Sequence, residues 1–159
     1  MSFLAKKRLE KEIKNIQAIN HKSLYRIEPF EATAYAFKWH AYIIGPKDTP
    51  YENHEFKLLL TFTDKYPYSS PDVQFITPIY HCNISQRGYI CMNILTDGWS
   101  PALTVDKILL SIISMLADPN PVHPLEPDIA ELYLIDKTKH DNTAIAYTQK
   151  HANLCMLKT

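Results

Sequence analysis

The chain has 159 residues, 46% of them hydrophobic and 21% charged, with 17 basic side chains balanced by 17 acidic ones. That length can bury a core within one domain, and the composition is that of an ordinary globular protein, not a disordered one. A formal charge of zero offers no overall attraction to nucleic acid or to an anionic membrane surface, so neither is an expected partner. The longest apolar run, 108–117, is too short to cross a bilayer and is interrupted by Ser111 and Ser114. Met1 to Lys11 has no apolar signal-peptide core, and the three cysteines, Cys82, Cys91 and Cys155, have no disulfide-framework spacing. A reducing cytoplasmic or nuclear setting is therefore expected.

Leu9, Ile13 and Ile16 recur at helical spacing, which predicts an amphipathic first helix over 3–19. Its other face carries Lys6, Lys7, Arg8, Lys11 and Lys14, and by itself such a run reads as a solvated face. Four runs rich in aromatic and β-branched residues follow, at 25–28, 34–44, 56–62 and 73–76, with Gly45-Pro46, Tyr66-Pro67 and Ser70-Pro71 as punctuation. Consecutive strands separated by turn signals suggest an antiparallel meander. Residues 77–103 show no sustained period, yet they hold Ile79, Tyr80, Ile90, Ile94, Leu95 and Trp99. That is too apolar for disorder, so an ordered loop packed on the core is expected. Thr104 is a helix N-cap candidate for the stripe Val105, Ile108, Leu109, Ile112, Ile113 and Leu116, which Asp118-Pro119 ends. Pro119, Pro121, Pro124 and Pro127 make a stiff connector. A short helix follows from Pro127 to about Tyr133, and a last one over 137–153 turns Ala144, Ile145, Tyr147 and Thr148 to one side. The expected fold is α+β: an N-terminal helix, a four-stranded antiparallel meander, a long ordered loop and three helices, in one domain over 1–159 with a short C-terminal tail.

The loop carries the chemistry. Asn83 lies eight positions before Cys91, with Gly88 and two apolar residues between them. A thiol can take up an acyl group as a thioester, and an amide N–H can hold the oxyanion that forms when that thioester is attacked. A free thiol titrates near 8.5, and no neighbouring acid or histidine in the motif suggests an activating base. That suits exchange with an already activated thioester better than hydrolysis, which needs a base and an orienting group. Cys82, Cys91, His81 and His123 match no zinc-ligand spacing, so no metal is expected.

These residues resemble the ubiquitin-conjugating enzymes along nearly the whole chain. The likeness rests on Ile44-Gly45-Pro46 with Pro50-Tyr51, Tyr66-Pro67 with Ser70-Pro71, and Tyr80-His81-Cys82-Asn83-Ile84. It continues through Gly88-Tyr89-Ile90-Cys91, Trp99-Ser100-Pro101-Ala102-Leu103-Thr104 and Asp118-Pro119-Asn120-Pro121. The resemblance implies that Cys91 accepts ubiquitin, that Asn83 stabilises the oxyanion, and that His81 braces the loop. It matches Lys7, Arg8 and Lys11 to the face that meets the activating enzyme. Tyr68, Ser100, Pro101 and Ala102 fall on the two loops that meet RING- or HECT-type ligases. Leu110 and Ser114 fall on the helix face where carried ubiquitin folds back. The implied partners are ubiquitin, the activating enzyme, ligases and protein substrates. No cofactor is implied for this chain, because the activating enzyme spends the ATP. A carrier for another ubiquitin-like modifier, or a non-catalytic scaffold of the same fold, remains open at this stage.

The chain also departs from the family pattern. Cys82 stands where the family's tripeptide has proline, Asn93 where an acid is common, and His123 where another acid lies near the incoming lysine. A histidine there could serve the attacking amine as a base. The paired glycines usual after Pro-Tyr are replaced by Glu52-Asn53-His54-Glu55.

Overall fold

A computed structural model describes residues 2–155. Helix α1, Phe3–Ile19, starts where the Ser2 hydroxyl accepts from the Ala5 N–H. It stops at Asn20, whose left-handed backbone returns its N–H to the Ile16 carbonyl. Strands β1 (Tyr25–Ala32), β2 (Ala36–Ile44), β3 (His54–Thr63) and β4 (Asp72–Phe75) pair antiparallel in that order. The meander is thus the one the four runs predict. Edge strand β1 carries Pro29, where a missing N–H is tolerated, and the register shifts between Pro29 and Glu31. The bulge leaves Phe30 on the surface, stacked on His40 with ring centroids 4.0 Å apart.

Period-two alternation puts Trp39, Ala41 and Ile43 of β2, and Phe56, Leu58, Leu60 and Phe62 of β3, on one buried face. Helix α2, Val105–Ala117, is capped by the Thr104 hydroxyl, and its buried Val105, Ile108, Leu109, Ile112 and Leu116 join that face in one core cluster with α1's Leu9 and Ile16. Each such aliphatic side chain contributes roughly 2 kcal/mol relative to an exposed one. The loop over 77–103 is ordered and includes a single 3-10 turn, Asn93–Leu95.

Helices α3 (Pro127–Ile135) and α4 (Lys137–His151) follow, with Pro127 opening α3. Helix α3 runs slightly past the expected end and α4 stops slightly before it. The buried side of α4 holds the expected Ala144 and Thr148. His140 joins them one turn earlier, and Ile145 is the expected residue that does not turn inward. A fifth short strand, β5 (Asn153–Leu154), was not legible in the sequence. It pairs with the first residues of β3, which β4 does not reach. Cys155 adds an N–H bond to the Asn53 carbonyl at 2.6 Å.

Candidate active site

Residues 81–91 form a tight hairpin laid against β4. Isolated bridges join His81 to Ile84 and Ile84 to Ile90, and the Cys91 N–H donates to the Asn83 carbonyl at 3.0 Å. The reversal works because Gly88 takes φ 87° and because a Cβ there would lie 2.1 Å from the Phe75 carbonyl oxygen. The same close approach lets the Gly88 carbonyl accept from the Phe75 N–H at 2.9 Å, which docks the hairpin on the sheet. The eight-residue spacing is therefore a hairpin repeat: it brings Asn83 and Cys91 side by side. Cys91 is a free and exposed thiol, while Cys82 is free and buried. A cavity of about 260 Å³ beside the hairpin is lined by Ser70, Tyr89, Ile90 and Leu95 but not by Cys91. The thiol faces open surface.

Asn83 is 2% exposed, and its carboxamide reaches across to the connector after α2. Its Oδ1 accepts from the Asn120 N–H at 2.8 Å, and its Nδ2 donates to the Asn120 carbonyl at 2.8 Å and the His123 carbonyl at 3.4 Å. The Cys82 carbonyl accepts from the Leu125 and Glu126 N–H groups, and Glu126 Oε1 accepts from the Gln86 N–H. Six hydrogen bonds thus hold the proline-rich connector over the hairpin's base. His81 supports the same corner. Its Nδ1 accepts from the Asn83 N–H at 3.0 Å, so the proton sits on Nε2, which faces the Met115 carbonyl at 3.1 Å. Burial holds this imidazole neutral by lowering its pKa to about 4. Both ring nitrogens are occupied, so His81 is free neither as a metal ligand nor as a base for Cys91. Among the described residues, no cluster of three or more His, Cys, Asp and Glu side chains forms a metal site.

The remaining expected residues fall in three places. His123 is exposed on the connector, and its carbonyl accepts from Asn83 Nδ2. Asn93 starts the 3-10 turn, and its carbonyl accepts from the Thr96 and Gly98 N–H groups. Leu110 and Ser114 lie one turn apart on the outer side of α2, Leu110 half-buried and Ser114 exposed. Tyr68, Ser100, Pro101 and Ala102 are all exposed on neighbouring loops, which are tied together where Trp99 Nε1 donates to the Pro67 carbonyl at 2.9 Å. Lys7 and Lys11 are exposed on α1, but Arg8 turns inward. Its Nε meets Glu12 at 2.7 Å, and its terminal nitrogen donates to the Leu103 carbonyl at 2.8 Å.

Glu12 was not picked out in the sequence, where it sits within the basic run of α1. It is 3% exposed and accepts from Arg8, from the Tyr66 hydroxyl and from the Val105 N–H at the start of α2. One carboxylate therefore joins α1, the Tyr66–Tyr68 loop and the Ser100–Thr104 loop. Glu12 lies between Leu9 and Ile16 on the helical wheel, and that position was the available signal. Asn120 was missed as the partner of Asn83, though a lone amide between Pro119 and Pro121 was visible.

Comparison with known proteins agrees with this arrangement. A family model described as "Ubiquitin-conjugating enzyme" matches residues 8–148. A Toxoplasma gondii ubiquitin conjugating enzyme E2 domain is 37% identical with a TM-score of 0.83, over 93% of this chain and 99% of that one. A Plasmodium yoelii protein assigned as a ubiquitin conjugating enzyme is 35% identical with a TM-score of 0.87, over 96% of this chain and 98% of that one. The fold, the extent of the match and the order of its motifs agree, and the chain belongs to the ubiquitin-conjugating enzyme family.

Proposed function

We propose that this chain takes ubiquitin from the activating enzyme as a thioester on Cys91 and hands it to a substrate lysine or a ligase cysteine. The observation that carries the reading is an exposed, free Cys91 held by its own backbone beside the buried Asn83. In charging, the Cys91 thiolate attacks the activating enzyme's thioester. A new C–S bond forms, the old one breaks, and the activating enzyme's thiolate leaves. In discharge, a lysine amine attacks the Cys91 thioester, a C–N bond forms, and the Cys91 thiolate leaves while the amine loses a proton. Both steps start from an activated acyl group, so no hydrolase-type base on the thiol is needed. An open surface suits protein-sized donors and acceptors. No cofactor on this chain is required, because the ATP is spent by the activating enzyme.

In this reading Asn83 serves the oxyanion through Nδ2. One of its bonds, to Asn120, is short, and the other, to the His123 carbonyl at 3.4 Å, is the one whose hydrogen is easily redirected. His123 then lies beside the incoming lysine. Lys7 and Lys11 supply charge toward the activating enzyme, with Arg8 setting the loop behind them. Tyr68, Ser100, Pro101 and Ala102 form the ligase face, and Leu110 and Ser114 the face for carried ubiquitin. The setting is cytoplasmic, nuclear or both.

The test is charging with activating enzyme, ATP and ubiquitin, resolved on gels with and without reductant. A reducible adduct lost in Cys91→Ala and kept in Cys82→Ser is the expected result. An adduct only with another modifier and its own activating enzyme would change the modifier and keep the chemistry. A folded protein that charges with none would be a scaffold.

A further inference from the structure

We propose that the Cys82 thiol is a positioning residue for Asn83, holding the oxygen end of its carboxamide so that the nitrogen end can turn toward the reacting carbonyl. Cys82 Sγ lies 3.4 Å from Asn83 Oδ1 as a donor, and both side chains are buried. An amide has two lone pairs on oxygen and two hydrogens on nitrogen. Here all four are used: Oδ1 by Cys82 and Asn120, Nδ2 by the carbonyls of Asn120 and His123. The paired bonds to Asn120 fix the plane of the amide and which end is oxygen. They do not by themselves hold the oxygen when Nδ2 leaves the His123 carbonyl. The thiol supplies a second grip on Oδ1, from the neighbouring residue.

That grip has an electronic consequence as well. A donor on Oδ1 polarises the amide and strengthens donation from Nδ2, since hydrogen bonds in a chain reinforce one another. The thiol donates only while protonated, and its burial favours the protonated form by raising its pKa. Cys82 therefore grips the site twice, through its carbonyl on Leu125 and Glu126 and through its thiol on Asn83. A proline at this position would restrict φ but would offer no donor to the neighbouring carboxamide. The thiol substitutes a hydrogen bond for that rigidity.

The catalytic part rests on the thioester reading, but the placement of the amide does not. The experiment compares full-length wild type with Cys82→Ala and Cys82→Ser. It follows the Asn83 side-chain amide by nitrogen–proton NMR, and separately the charging rate and single-turnover discharge of the thioester to free lysine. Cys82→Ala is expected to shift both Asn83 amide proton resonances and to slow discharge by about threefold to tenfold, the effect of one hydrogen bond, with a smaller effect on charging. Cys82→Ser restores a donor and is expected to recover most of the discharge rate. Unchanged amide resonances in both variants would overturn the proposal. So would a Ser variant as slow as the Ala variant, because then volume and not donation matters. If Cys82→Ala does not fold, the Ser variant decides alone: a stronger donor must move the Asn83 amide resonances, and resonances identical to wild type refute the contact. Absence of charging in wild type would sink the thioester reading and leave the NMR comparison intact.

Discussion

Two buried polar corners hold this molecule together, and they are built from opposite materials. At the corner around Glu12, an ion pair with Arg8, a tyrosine hydroxyl and a backbone N–H converge on one carboxylate. At the corner around Asn83, every partner of the carboxamide is neutral, and burial keeps even the histidine uncharged. Each corner ties together segments far apart in sequence. The charged one fixes the frame that carries the two exposed loops, and removing a member strands a buried charge or donor. The neutral one can exchange a long hydrogen bond at modest cost, because no charge is left unpaired when it does. A frame gains from the first property, and a site that must rearrange during a reaction gains from the second.

The sharpest way to break the comparison is to remove Glu12. Glu12→Ala leaves Arg8, Tyr66 and the Val105 N–H without their shared acceptor, and a loss of about 3–5 kcal/mol is expected in urea unfolding. Glu12→Gln keeps an acceptor and should lose less. A loss below about 1 kcal/mol for the alanine variant would show that the corner is not structural in the sense argued here.

Acid separates the two corners next. The folded chain holds His81 near 4 against an ordinary value of 6.5, so the neutral form is the one that folding favours. This contribution is complete above about pH 6.5. As pH falls, the unfolded chain takes up a proton that the folded chain refuses, and stability drains away down to about pH 4, by roughly 3 kcal/mol in total. Urea midpoints measured across that window in wild type and in His81→Asn give the difference. Equal slopes for the two would mean that His81 does not carry the effect.

Asn83→Ala is expected to cost about 1–2 kcal/mol in stability, much less than Glu12→Ala, because a neutral amide is removed. Its larger signature is kinetic: roughly 100-fold slower discharge to lysine, with charging less affected. Equal slowing of both steps would assign Asn83 to loop architecture alone. His123 should give the smallest change. Discharge in His123→Ala is expected to lose a few-fold in rate and part of its pH dependence, as removal of a base from the lysine side requires. An unchanged pH–rate profile would remove His123 from the lysine side.

The strands, α1 and α2 were legible because their signals are periodic and local. Thr104 is a cap at a helix start, and the alternation in β2 and β3 allows one buried face only. The thiol loop was legible for a different reason: its chemistry-bearing residues stand in a recognisable order. What stayed hidden depends on contacts between distant segments. Nothing local to Glu12 announces that Val105 and Tyr66 will meet it, and nothing local to Asn83 announces Asn120. On α4 the burial of His140 hid, because a histidine carries no strong apolar signal. Strand β5 hid because two residues carry no period.

Trp99 ties the two exposed loops through its indole N–H, while Trp39, the other of the chain's two tryptophans, lies 2% exposed in the core. The molecule thus carries its own optical reporter at the loop junction, with a silent internal standard. A protein docking on Tyr68 and Pro101 would change the emission of one indole and shield it from acrylamide. The other would be left as it was, so engagement of these loops can be followed in unlabelled protein.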